Sequence, residues 1–243
     1  MTGFSLSDPY ADFTSPEDQE MLRRIEAKQG VGITGYDLMC VFQSWLPAGT
    51  PRECCAYLPA LYDFLRRPGD EYVLDVWDSV VWVWLVQERE ELENLGQHKA
   101  IVEELRSMVR EVLIAAPWQP ENGVDIIYNR MDMLMNWMAS PWGQEEMETL
   151  LDMLAGGGVA SHLILLRLFT ESRQEDILGT PLAVHASEPA YLAFVKRMDA
   201  HFADKSVLRG VLQSLHSLPV PESCAEDFVR LLMETREQCE KCL

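Results

Sequence analysis

Apolar side chains recur along most of this 243-residue chain at intervals of three and four, with polar residues between them. That is the spacing of one face of an α-helix. Leu38, Val41, Phe42 and Trp45 form one such stripe, and Tyr57, Leu58, Leu61, Phe64 and Leu65 form another. A third joins Ile101, Leu105, Met108, Val109, Val112 and Leu113, opposite Glu103, Arg106 and Arg110. No segment alternates with period two between hairpin turns, so strands are not expected.

Start and stop signals frame these stripes. After an irregular first dozen residues, Ser15-Pro16-Glu17-Asp18 supplies a cap, a proline at the first helical position and acids at the positive helix end. That helix should run to about Gln29 and stop at Gly30. Thr34 caps a second, ended by Pro47 and Gly49, and Thr50-Pro51-Arg52-Glu53 reads as a capping box. Pro59 then predicts a kink or short break near Ala56, and residues 66–70 a turn.

The stretch from Tyr72 to Val86 carries two signals. Its β-branched and aromatic content favours strand, whereas Leu74, Trp77, Val81, Trp84 and Leu85 recur at helical intervals over about four turns. The periodicity and length predict a buried helix. A further helix is predicted from Gln97 to Ala116, and others at about 124–139, 144–155, 159–171, 188–202, 205–217 and 222–240. Ser187, Asp204 and a Ser223/Glu226 capping box mark three of the starts, and Gly156-Gly157-Gly158 separates two helices. The predicted fold is all-α: antiparallel helix pairs in a compact bundle or an irregular HEAT-like array. A single helical domain over 1–243 is expected, with a subdivision point in the turn-rich 117–123.

Charge narrows the choice of partners. Asp and Glu number 39 against 20 Lys and Arg, a formal net charge of −19. Such a surface repels phosphate backbones, which argues against nucleic acid, and attracts basic proteins; it also serves plain solubility. The first ten residues have no basic start or apolar stretch, so no secretory signal is expected. The most apolar run, Val80 to Val86, is far short of the roughly 20 residues needed to cross a bilayer. The six Cys then read as reduced thiols of a cytoplasmic protein.

Candidate chemistry is sparse. Cys239-Glu240-Lys241-Cys242 has half the spacing of a zinc site but no second pair in sequence, and it lies at a helix end rather than a helix start. The Cys54-Cys55 doublet reads as packing. The five His are scattered, and His162, beside Leu163, Leu165 and Leu166, reads as a satisfied core or edge residue. The triple glycine lacks the flanking residues of a phosphate loop. No catalytic, metal or cofactor residue is assigned. The densest carboxylates are Glu88, Glu90, Glu91 and Glu93, followed by Glu103 and Glu104, and a second group of Glu145, Glu146, Glu148 and Asp152. Both read as solvated helix faces on which a basic partner would dock. Trp77, Trp82, Trp84, Trp137 and Trp142 read as core, although an exposed aromatic beside acids would mark an interface anchor.

The run Glu53-Cys54-Cys55-Ala56-Tyr57-Leu58-Pro59-Ala60-Leu61, followed by long helices to Leu113, resembles a pattern in uncharacterised bacterial helical proteins. In these an aromatic-Leu-Pro helix precedes a pair of long helices. Some small acidic proteins of similar make-up are immunity proteins, which neutralise a toxin. The resemblance covers less than a third of the chain and carries over no catalytic residue. It implies a non-enzymatic acidic binding protein, an immunity-type inhibitor of a basic toxin. The alternatives are a helical enzyme or metal protein whose site forms only in three dimensions, and a helical scaffold. A closed pocket of acids and His would favour the enzyme; an acidic patch beside an exposed aromatic, without a cavity, would favour binding.

Overall fold

A computed structural model describes residues 4–9, 11, 13–42, 48–115, 125–171, 188–215 and 225–243. Among the described residues every regular element is a helix, so the fold is all-α. The chain divides into two units, Met1–Ser107 and Met108–Leu243. The turn-rich 117–123 lies outside the described residues.

The first unit opens with an arm that is irregular yet pinned. Leu6 and Phe13 are buried, and the Leu6 N–H donates to the Glu26 carboxylate at 2.7 Å. Helix α1 (Pro16–Ala27) starts at a reciprocal Ser15/Asp18 capping box. It ends where Gln29 and Gly30 turn left-handed, at φ 48° and 78°. Thr34 and Asp37 form the box of α2 (Gly35–Val41), and Thr50 and Glu53 that of α3 (Pro51–Cys54). Residues 43–47, with Trp45 and Pro47, lie outside the described residues.

Pro59 has the predicted effect. A 3₁₀ turn at Cys55–Tyr57 separates α3 from α4 (Leu58–Leu65), which places the proline in the first turn, where no intrahelical N–H bond is lost. The ambiguous stretch is helical: α5 (Val73–Asp78), a π segment at Ser79–Trp84 and α6 (Leu85–Gln87). Val80, Val81, Val83 and Trp84 are buried in it, which is why its composition reads as strand. The Trp84 ring meets Phe42 edge-on at 5.0 Å. Short α7 (Arg89–Asn94) turns at Gly96, φ 68°, into α8 (His98–Met108).

The second unit begins with a π segment, Val109–Ile114, where the predicted helix was to continue. Then come α9 (Asp125–Ala139), α10 (Pro141–Gln144), α11 (Met147–Ala155) and α12 (Val159–Glu171). The helix expected at about 144–155 is α11, starting at Met147, and the short α10 stands ahead of it. Ser140 caps α10, accepting from the Gly143 N–H at 3.1 Å, and this doubles the chain back onto α9. Gly143 is required there: a Cβ would sit 1.8 Å from the Trp137 carbonyl oxygen.

The triple glycine separates α11 from α12, and a Cβ on Gly157 would stand 2.6 Å from Ser161 Cβ. Helix α12 packs against α9, α11 and the last two helices, its face carrying Leu163, Leu165, Leu166 and Phe169. The remaining helices are α13 (Glu188–His201), α14 (Lys205–Ser214) and α15 (Ala225–Glu240). Asp204 caps α14 as expected, accepting from the Ser206 N–H at 2.8 Å. Ser187 and Ser223 lie outside the described residues. None of the described helices is long and apolar enough to cross a membrane.

Candidate partner-binding surfaces

In the first unit α7 turns Glu90, Glu91 and Glu93 to solvent and buries Leu92. Glu93 accepts from Arg89 one turn earlier at 2.8 Å. Glu88 is half-buried where α6 passes into α7. Glu103 is exposed and paired with Arg106 at 2.6 Å; Glu104 is half-buried and takes a hydrogen bond from Arg66, which ties α8 to the end of α4.

In the second unit Glu145, Glu148 and Asp152 are exposed, but Glu146 is not on the solvated face expected of it. Only 9% exposed, it accepts from the Trp137 indole N–H at 2.8 Å and from the Arg110 guanidinium. The break between α10 and α11 rotates it inward. A carboxylate bonded by two donors inside a helix corner is part of the packing and is not free to meet a partner.

The side chains that sequence reading missed lie at the start of α2. Gly35 lets the α2 backbone press against its neighbours: a Cβ there would fall 2.6 Å from Phe64 Cζ and 2.9 Å from Tyr72 Cβ. This close approach brings Tyr36 beside Tyr72, edge-on with ring centroids 6.0 Å apart. Tyr36 is 46% exposed and Tyr72 half-buried. The Glu71 carboxylate, with Asp70 behind it, pushes the Tyr72 phenol above its ordinary range. Two rings and the exposed Glu71 carboxylate therefore lie together, with the half-buried Asp70 accepting from the Tyr72 N–H at 3.2 Å. The one signal was Thr34-Gly35-Tyr36 at a helix start, with Tyr36 outside the apolar stripe.

Beneath this edge, Met21, Arg24, Lys28, Tyr36 and Asp37 line a small cavity of about 180 Å³. Asp37 is held below its ordinary range: burial alone would raise it, but the Lys28 ammonium and the Thr34 N–H and hydroxyl outweigh burial. In the second unit, α15 presents Val229 and Met233 outward between Glu226, Glu234 and Glu237, beside a groove of about 580 Å³.

The reactive side chains are otherwise occupied. Burial raises the Cys40 and Cys55 thiols to about 11 and Cys239 to about 12, so all three stay protonated near neutrality. Burial raises the Cys54 thiol further, and its Sγ lies 3.4 Å from the Gly49 carbonyl. The doublet is thus one buried and one half-buried thiol. Both ring nitrogens of His162 are engaged, Nδ1 with Ser214 Oγ at 2.6 Å and Nε2 with the Ala155 carbonyl at 2.9 Å. Trp77, Trp84 and Trp137 are core, whereas Trp82 and Trp142 are half-buried. Among the described residues no three His, Cys, Asp or Glu converge as metal ligands would. Compared with known proteins, the chain matches no family model, no curated sequence and no solved structure.

Proposed function

We propose that this chain is a non-enzymatic binding protein for a basic protein partner, and that Tyr36, Tyr72, Asp70 and Glu71 form its contact surface. The observation that carries the reading is the exposed Tyr36 ring set edge-on against the half-buried Tyr72, with carboxylates alongside. A ring face attracts an arginine or lysine head, and an adjacent carboxylate completes its hydrogen bonding. Tyr is also over-represented among residues that dominate interface energies. The net charge of −19 and the open carboxylates of α7 add long-range attraction, which speeds encounter more than it slows release. An inhibitor that covers a basic toxin, as immunity proteins do, is the form of this activity the sequence resemblance suggests.

The test is affinity capture from the source cell, followed by binding kinetics of the captured protein with Tyr36→Ala and Glu71→Lys variants. Each should weaken binding about tenfold or more while leaving the helical circular dichroism intact, because both side chains are solvent-facing. A basic partner whose affinity neither variant changes would remove this surface from the proposal. Partners that are all neutral or acidic would remove the proposal itself.

A further inference from the structure

The Cys239-Glu240-Lys241-Cys242 motif finds no second cysteine pair among the described residues, yet its two thiols are held in a defined relation. The Cys242 N–H donates to the Cys239 carbonyl at 3.0 Å and closes a turn at the end of α15. A four-residue turn of this kind keeps its outer Cα atoms within about 7 Å. Disulfides span Cα separations of about 4.4–6.8 Å, so bridging asks for a small adjustment of the turn that ends α15. The turn is also anchored, since the Lys205 ammonium at the start of α14 donates to the Cys242 carbonyl. The two sulfurs differ in access: Cys239 is fully buried and Cys242 half-exposed.

We propose that Cys239 and Cys242 are a dithiol–disulfide couple oxidised by low-molecular-weight disulfides, with Cys242 the attacking thiol and Cys239 the resolving one. In the first step the Cys242 thiol loses its proton to solvent, and its sulfur attacks one sulfur of the small disulfide. A mixed disulfide forms and one small thiolate leaves. In the second, Cys239 loses its proton and attacks the Cys242 sulfur, forming the internal bond and expelling the second small thiolate. The two thiolates take up the two protons, so the chain is oxidised by two electrons and the small disulfide reduced by two.

Burial holds Cys239 protonated near neutrality, which makes the second step the slow one. The same property opposes reversal, because a thiol that is a weak acid is a poor leaving group from a disulfide. This arrangement inverts a catalytic oxidoreductase, whose attacking thiol is acidified at a helix start. Here the couple records exposure to oxidant and does not turn over.

The experiment incubates the full chain with glutathione disulfide at several pH values and maps thiols by quenching, digestion and mass spectrometry. The wild-type chain should yield a 239–242 bridge without retained glutathione. Closure should speed up about tenfold per pH unit, following the thiolate fraction. Cys239→Ser should instead hold glutathione stably on Cys242, and Cys242→Ser should leave Cys239 unreacted. Because the buried Cys239 could be needed for folding, the wild-type map decides alone. Glutathione retained on Cys242 of the wild-type chain, or both thiols unmodified after Cys55 has reacted, would overturn the proposal.

Discussion

In Arg89-Glu90-Glu91-Leu92-Glu93 the three carboxylates face water and Leu92 alone is buried; in Glu145-Glu146-Met147-Glu148 the acid and the methionine in the middle are both drawn in. The two stretches have much the same composition. The difference comes from what precedes each. Helix α7 is one continuous pair of turns, so a single apolar residue fixes its orientation and the acids take the opposite side. Glu146 instead stands at a break created upstream by Ser140, Pro141 and the close packing of Gly143 on Trp137. At that corner the buried indole N–H needs an acceptor, and Glu146 is within reach. Counting carboxylates therefore overstates the acidic surface of the second unit by its most structural member.

The largest expected effect follows from that contrast. Glu146→Ala takes the acceptor from the Trp137 N–H and leaves the Arg110 guanidinium without this partner. Breaking a buried charged contact costs about 3–5 kcal/mol. Arg110 is 42% exposed and can turn to water, so the expected loss is nearer 2–3 kcal/mol. Glu148→Ala, two residues along on the open face, should change stability by less than about 0.5 kcal/mol. Urea unfolding of both variants checks this, and equal losses would mean that the two clusters are alike after all.

A smaller effect concerns inward carboxylates in the first unit. Asp37 and Glu53 both occupy the third position of a capping box, and both are held below their ordinary values of 3.8 and 4.5. For Glu53, burial would raise the carboxyl, but the Ser7 hydroxyl and the Ser7 and Thr50 N–H groups outweigh it. A carboxyl whose folded value lies below its unfolded value binds protons more readily when unfolded. Its contribution is full above the unfolded value and drains away as pH falls through the folded one. Unfolding midpoints measured from about pH 6 down to pH 2 should drop below roughly pH 4, and Asp37→Asn should flatten part of that slope. A midpoint that holds steady to about pH 2 would show that these two acids stabilise nothing.

The helical architecture was legible because its signals are local. Ser15, Thr34 and Thr50 cap the helices they were expected to cap, and Pro59 breaks the chain where its missing N–H dictates. The stripe of Leu74, Trp77, Val81 and Trp84 outweighed a β-branched composition because burial on many sides suits such residues in a helix as well. The candidate surface was not legible, since it depends on non-local contacts. Nothing near Tyr36 in sequence announces Tyr72; the link is the missing Cβ of Gly35, felt only once α2 is packed. Glu146 was misread for the same reason, its donors coming from Trp137 and Arg110 in other helices.

An effect on stability well below that of Glu146→Ala should come from reversing Glu90, Glu91 and Glu93 together to Lys. Their side chains are exposed, and the one ion pair lost, Glu93 with Arg89, is an exposed contact one turn apart. Substitutions of this kind usually stay within about 0.5 kcal/mol each. Three adjacent lysines beside Arg89 do repel one another, but water and salt screen exposed charges well. The unfolding midpoint should therefore hardly move, in contrast to the single change at Glu146. The association rate of the basic partner should fall and its dissociation rate change little, since open charges act mainly on encounter. A loss of stability comparable with that of Glu146→Ala would show that α7 uses its acids for folding, and the contrast between the clusters would fail. An unchanged association rate would instead confine recognition to the contacts at Tyr36 and Tyr72.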